Sequence, residues 1–161
     1  MNKTITLDLI DRTILRLLQE DGSLSVAELA QRLNMTPPPC WRRVRRLKDA
    51  GVLKKQIWQV DPEAVGLDVT IYVTVKLAAH DSAATAAFRE QVQLLPEVLE
   101  CYILLGNVDA ILKILVKDVK YYEWLFYKKL SRLPGVREVN SGVVMTEVKH
   151  TSRLPLDHTE A

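Results

Sequence analysis

Cysteine is scarce in this chain of 161 residues: there are two, Cys40 and Cys101. They make no Cys-x-x-Cys pair and no disulfide framework, so neither a stapled secreted fold nor a thiolate zinc site is expected. Both read as small reduced core residues. Histidine is almost as sparse, and His80, His150 and His158 are too scattered to suggest a metal site. No apolar run reaches the roughly 18 residues that a membrane span requires. The opening Met1-Asn2-Lys3-Thr4-Ile5-Thr6 carries no apolar signal segment. A soluble, cytoplasmic protein is expected. Gly-rich phosphate loops, a Ser/His/Asp set and a catalytic carboxylate pair are likewise missing. The carboxylates fall mainly at helix caps, turns and exposed positions, so neither an enzyme nor a cofactor is expected.

Hydrophobic content of 48% and charged content of 26% are ordinary for a globular chain long enough for two small domains. The net charge of +2 is unevenly spread. Residues 1–61 hold 11 Lys and Arg against 7 Asp and Glu, whereas residues 62–161 hold 11 against 13. Basic charge concentrated in the first third suits a unit that meets a polyanion.

The apolar spacing explains that concentration. Ile10, Ile14, Leu17 and Leu18 recur on one face of a helix from Asp8 to about Gln19, which Asp21-Gly22 ends. Ser25 and Glu28 form a capping-box pattern for a second helix, with Val26, Leu29, Ala30 and Leu33 inward. After a turn at Asn34-Met35, Pro37-Pro38-Pro39 stiffens the entry to a third helix, which starts within 36–39. On that helix Cys40, Val44 and Leu47 fall in one sector, and Arg42 and Arg46 share the opposite face. Arg43 and Arg45 flank that face, and Lys48 lies near the core edge. Two helices, a tight turn and a cationic second helix are the parts of a helix-turn-helix DNA reader, and Arg forks match guanine acceptors or phosphates. Ala50-Gly51 ends the helix. Val52–Val60 reads as a short hairpin or wing, with Lys54 and Lys55 toward phosphates. Trp41 and Trp58 read as packing residues of this unit. The expected DNA-contacting set is Thr36, Pro38, Pro39, Arg42, Arg43, Arg45, Arg46 and Lys54.

Residues 61–67 read as a linker between a DNA-binding domain over 1–60 and a second domain over 68–161. The second domain opens on Val69, Ile71, Val73, Val75 and Leu77, which alternate with polar residues as in a half-buried strand. A helix follows from Ser82 to about Leu95, with Phe88, Val92 and Leu95 inward. Strands Val98–Leu105 and Ala110–Lys117 flank the turn Gly106-Asn107-Val108-Asp109. Asp118 caps a helix whose inner face is Tyr122, Leu125, the Lys129 stem and Leu133, and Val136–Val148 is a last strand. The order β-α-β-β-α-β is ferredoxin-like, so the chain is read as α+β. Leu95-Pro96-Glu97-Val98 and Leu133-Pro134-Gly135-Val136 echo each other at equivalent helix-to-strand joints, as two half-units would.

Three motifs together resemble the Lrp/AsnC (feast/famine) family of transcriptional regulators. Leu7-Asp8-Leu9-Ile10-Asp11 through Asp21-Gly22-Ser23 is similar to the family's opening pattern. Pro39-Cys40, Arg43, Leu47 and Gly51-Val52-Leu53 match its recognition-helix pattern, and Val148 through Leu154-Pro155-Leu156 its C-terminal one. The resemblance covers about residues 7–156. It implies a winged helix-turn-helix joined to an ACT-like effector domain, a homodimer that assembles to an octamer or another ring, and amino-acid effectors held between effector domains near the loop after the second strand. Gly106 and Asp109 carry that loop's pattern over; Val108 departs where an aromatic is usual, and Leu105 where a small hydroxyl residue is frequent.

The effector set implied by this resemblance is Leu104, Leu105, Gly106, Asn107, Asp109, Val143 and Met145. Backbone N–H groups at a glycine turn suit a carboxylate, Asp109 suits an ammonium group, and the apolar members suit a side chain. From spacing alone, Asn107 and Asp109 are sufficiently explained as turn formers. Two other readings remain open: an effector-blind architectural DNA protein, and a small enzyme on a ferredoxin-like scaffold.

Overall fold

The computed structural model describes residues 5–78 and 82–156. They form two units, one from residues up to 58 together with the segment from 149, the other from 59 to 148.

In the first unit, α1 spans Leu9–Glu20, α2 Val26–Arg32 and α3 Pro37–Asp49. The Ser25–Glu28 capping box forms, with the Glu28 N–H donating to Ser25 Oγ (3.3 Å) and the Ser25 N–H to Glu28 Oε2 (2.7 Å). A second box, Asp8–Asp11, starts α1. Asn34 takes the left-handed conformation (φ 52°) in the turn before α3, a place where Asn is tolerated. The prolines occupy the first turn of α3, and Thr36 is extended before them, as the clash with a following proline requires. Gly51 (φ 72°) closes α3: its N–H reaches the Lys48 carbonyl and the Val52 N–H the Leu47 carbonyl, a Schellman ending. Ile14, Leu15, Leu29, Ala30, Cys40, Val44 and Leu47 make the core.

Three expectations change here. Ile10 is 38% exposed, and its neighbour Asp11 is fully buried instead, because two arginines of α3 converge on that carboxylate. Val52–Val60 contains no strand. It has no Gly, Asn or Asp to turn a hairpin, and an isolated two-stranded ribbon is marginal in water. Trp58 is 93% exposed and Trp41 half exposed, so neither is a packing residue of the core.

The second unit has β1 (Val69–Leu77), α4 (Ser82–Gln93), β2 (Val98–Ile103), β3 (Ala110–Val116), α5 (Val119–Lys128) and β4 (Val136–Val143). The sheet order is β2-β3-β1-β4, and every pairing is antiparallel. The expected β-α-β-β-α-β order therefore holds. Ile71, Val73, Val75 and Leu77 alternate inward with Ala110, Leu112, Ile114 and Val116, against Phe88, Val92, Leu95, Tyr122, Leu125 and Leu133. β2 and β4 are edge strands and end sooner than expected. Cys101 on β2 is exposed rather than in the core, beside a hollow of about 380 Å³ shared with Arg89 and Val92 of α4.

The segment from Lys149 belongs with the first unit, not with residues 68–148. Gln19 and Glu20 of α1 hold it at Leu154 and Arg153, and Leu156 packs against the first core.

Candidate DNA interface and effector loop

On α3 the side chains sort into three settings. Cys40, Val44 and Leu47 are buried, and burial pushes the Cys40 thiol up. Arg43 and Arg46 lie on the edge toward α1. Arg43 donates to Asp8 Oδ2 (2.6 Å) and Asp11 Oδ1 (2.9 Å), and Arg46 donates to Asp11 Oδ2. The Asp11 N–H first, and then Arg43, hold the Asp8 carboxyl below its usual range, although burial works against them. Its bonds to Asp8 and then Asp11 push the Arg43 guanidinium up. These ion pairs fasten the start of α1 to the middle of α3, and the charges within the foursome cancel.

The solvent face of α3 carries Pro38, Trp41, Arg42, Arg45, Lys48 and Asp49, all exposed. The Arg45 guanidinium lies 5.2 Å from the centroid of the Trp41 ring and pairs weakly with Asp49 (3.7 Å). No described acidic side chain pairs with Arg42. Sequence spacing places Arg42 and Arg46 at the centre of the face. In the structure Arg42 and Arg45 stand outward, while Arg46 turns toward Asp11. Thr36 and Lys54 are exposed, and Pro39 is partly buried. Asp11 was not among the expected site residues; its place in the opening motif and the two cationic positions of α3 that face α1, Arg43 and Arg46, are its traces in the sequence.

The loop from Leu104 to Asp109 joins β2 to β3. Asp109 closes it: its N–H donates to the Val75 carbonyl (2.9 Å), its carbonyl accepts from the Leu104 N–H (2.9 Å), and its Oδ2 accepts from the Leu77 N–H (2.7 Å). The carboxylate therefore has a role in the fold, tying the hairpin to the end of β1. Leu104, Leu105, Gly106 and Asn107 are exposed. Val143 is not beside them. It pairs with Ile71, whereas the loop leads into Ala110, which pairs with Val75. Four residues of β1 separate the two places, about 13 Å at the rise of a strand. Met145 follows the end of β4, past the Val144 N–H that bonds the Thr70 carbonyl, and so lies farther still from the loop. Within one protomer the expected effector set thus falls into two groups. The residues that do neighbour the loop's end of β1 are Leu77, Ala78, Gly135 and Val136. No group of described residues could hold a metal ion, and no described helix is long and apolar enough to cross a membrane.

Both units match known families. Residues 7–54 match the winged helix-turn-helix DNA-binding family, and residues 70–154 the Lrp/AsnC ligand binding domain. The chain is 37% identical over 151 residues to the DNA-binding transcriptional activator DecR of Escherichia coli, covering 94% of this chain and 99% of DecR. It is 38% identical over 148 residues to the leucine-responsive regulatory protein of the same organism, covering 92% and 90%. Its fold overlays that of transcriptional regulator NMB0573 of Neisseria meningitidis, solved with L-Met, at a TM-score of 0.91 and 35% identity, covering 95% and 99%. A cationic helix-turn-helix, a four-stranded antiparallel effector fold and relatives matched along nearly their whole length agree: the chain belongs to the Lrp/AsnC family of DNA-binding transcriptional regulators.

Proposed function

We propose that the protein is a sequence-specific regulator in the cytoplasm whose DNA binding is changed by an amino acid held by its second unit. The observation that carries the DNA part is the geometry of α3, which presents Arg42 outward with Arg45 and Arg46 each held by a neighbour. The contacting residues are Thr36, Pro38, Arg42, Arg45 and Arg46, with Pro39 shaping the start of the helix, Arg43 fixing it and Lys54 on the backbone. The effector part draws support from the L-Met complex of the NMB0573 relative and from the exposed glycine loop at Leu104–Asn107.

The DNA-binding species is a homodimer, and rings such as an octamer are built from dimers. A loop group and a Val143–Met145 group set apart in one protomer are what an effector site shared between copies requires. The two-fold symmetry places two recognition helices on a pseudo-palindrome. An effector that prefers one assembly shifts the population of DNA-competent species. No catalytic step is assigned to the protein.

Footprinting on the DNA upstream of its own gene, with and without each common amino acid, tests this reading. Discrete protected half-sites spaced by whole helical turns, altered by one amino acid, support it. Uniform coverage indifferent to amino acids supports the architectural reading instead.

A further inference from the structure

Asp11 is the one fully buried charged side chain among the described residues. A buried carboxylate is costly unless it is paired, and Asp11 is paired twice, with Arg43 and Arg46. Arg43 is largely covered, but Arg46 remains 48% exposed. One side of its guanidinium is held by Asp11, and the side chain lines a hollow of about 380 Å³ with Asp8, Pro39, Arg42 and Arg43. Arg42 and Arg46 are one helical turn apart and share this hollow. Asp8 and Asp11 offset Arg43 and Arg46, so Arg42 leaves the hollow with a net charge of +1. A phosphodiester group carries one negative charge and two non-bridging oxygens, one for each guanidinium; a neutral base edge would leave the charge uncompensated.

We propose that Asp11 is a positioning residue for DNA binding: it holds Arg46 beside Arg42 so that the two receive one backbone phosphate of the DNA. The inference rests on α3 being the DNA-contacting helix. A free arginine loses rotamer freedom when it takes a ligand; Arg46 has lost it already on folding.

The test uses the full chain and a duplex of about 30 base pairs, long enough for two half-sites, selected by the wild-type protein from a random pool. Affinity is read by fluorescence anisotropy between roughly 50 and 200 mM salt, where log K falls by about 0.9 per phosphate contact for each unit of log salt. Asp11→Asn makes the protein more positive by one charge. Electrostatics alone would tighten its DNA binding, whereas loss of positioning weakens it, by about tenfold. Arg46→Ala weakens binding to a similar degree and flattens the salt slope by about one. In an Arg46→Ala background, Asp11→Asn has little further effect.

Tighter binding by Asp11→Asn, or an equal loss with and without Arg46, overturns the proposal. So does an unchanged salt slope in Arg46→Ala. Circular dichroism melts confirm that each variant is folded at the assay temperature. Should Asp11→Asn not fold, Arg46→Lys carries the decision: it keeps the charge but lacks the fork, so binding weakens several-fold while the salt slope stays. Wild-type affinity in Arg46→Lys overturns the proposal. Failure of the wild-type protein to select any duplex would sink the DNA reading itself, a separate result.

Discussion

Gln19 and Leu154 lie 135 residues apart and pair as neighbouring strands do: the Gln19 side-chain oxygen accepts from the Leu154 N–H (2.6 Å), and its amide nitrogen donates to the Leu154 carbonyl (3.4 Å). Arg153 adds an ion pair to Glu20 (2.8 Å), and Leu156 packs against the core of the first unit. The chain therefore ends its described course on the helix-turn-helix, having passed through the effector fold.

That attachment predicts a stability effect where sequence position suggests none. Removal of residues 149–161 strips the first unit of an apolar side chain and the Gln19 bonds, at a cost of about 1–3 kcal/mol. For a unit of this size the expectation is a drop of roughly 4–24 °C in its melting temperature, followed by differential scanning calorimetry. An unchanged transition would show that the tail contributes nothing to this core.

The arginines of α3 should separate by assay. Arg42→Ala is expected to cost about 1–3 kcal/mol of specific DNA binding and to leave thermal stability unaltered. Arg43→Ala removes one of the two partners of buried Asp11 and should lower folding stability by about 1–3 kcal/mol. Chemical denaturation together with DNA titration distinguishes the two; equal effects in both assays would contradict this division of labour.

Glu97 predicts an acid dependence. Its side chain is 11% exposed; burial alone would raise its pKa, but the bonds from Tyr121 (2.8 Å), its own backbone N–H and Lys129 (3.2 Å) together outweigh burial and bring it below its ordinary 4.5. A carboxyl group whose pKa is lower in the folded state stabilises the fold above its unfolded pKa, and that contribution is lost as pH falls through the folded value. Melting temperature should hold from neutral pH down to about 5 and then fall below 4.5. Glu97→Gln should melt lower at neutral pH and fall less steeply in acid. Parallel acid profiles for both proteins would count against the linkage.

Asp109 ties the β2–β3 hairpin to Leu77. Asp109→Ala should destabilise the second unit by about 1–3 kcal/mol through the Leu77 N–H left without its acceptor. Asp109→Asn, which keeps an acceptor oxygen, should lose less. A thermal-shift series on the three proteins checks the order.

Much of this was legible in the sequence because one-face periodicity needs no partner. The alternation of Val69 to Leu77 and the inward sets of α4 and α5 follow from side chains on a two-sided element, and the Ser25–Glu28 box from local hydrogen bonding. What escaped depends on pairs distant in sequence. Counting hydrophobic positions puts Ile10 in the core, but the cost of burying Asp11 is offset by Arg43 and Arg46, more than 30 positions away, and that offset turns α1. The β-branched and aromatic residues of 52–60 suggest a hairpin, yet without a turn signal no partner strand forms among the described residues. The effector set follows a family pattern, and the β1 register shows why one protomer divides it.

The most direct test of the central claim is a gel-shift titration on the DNA upstream of the protein's own gene, at fixed salt, with and without each amino acid. A discrete shift that survives unrelated competitor DNA, and that one amino acid moves to a different protein concentration, is the predicted result. A smear abolished equally by any competitor, and indifferent to every amino acid, would contradict the claim of an effector-gated, sequence-specific regulator.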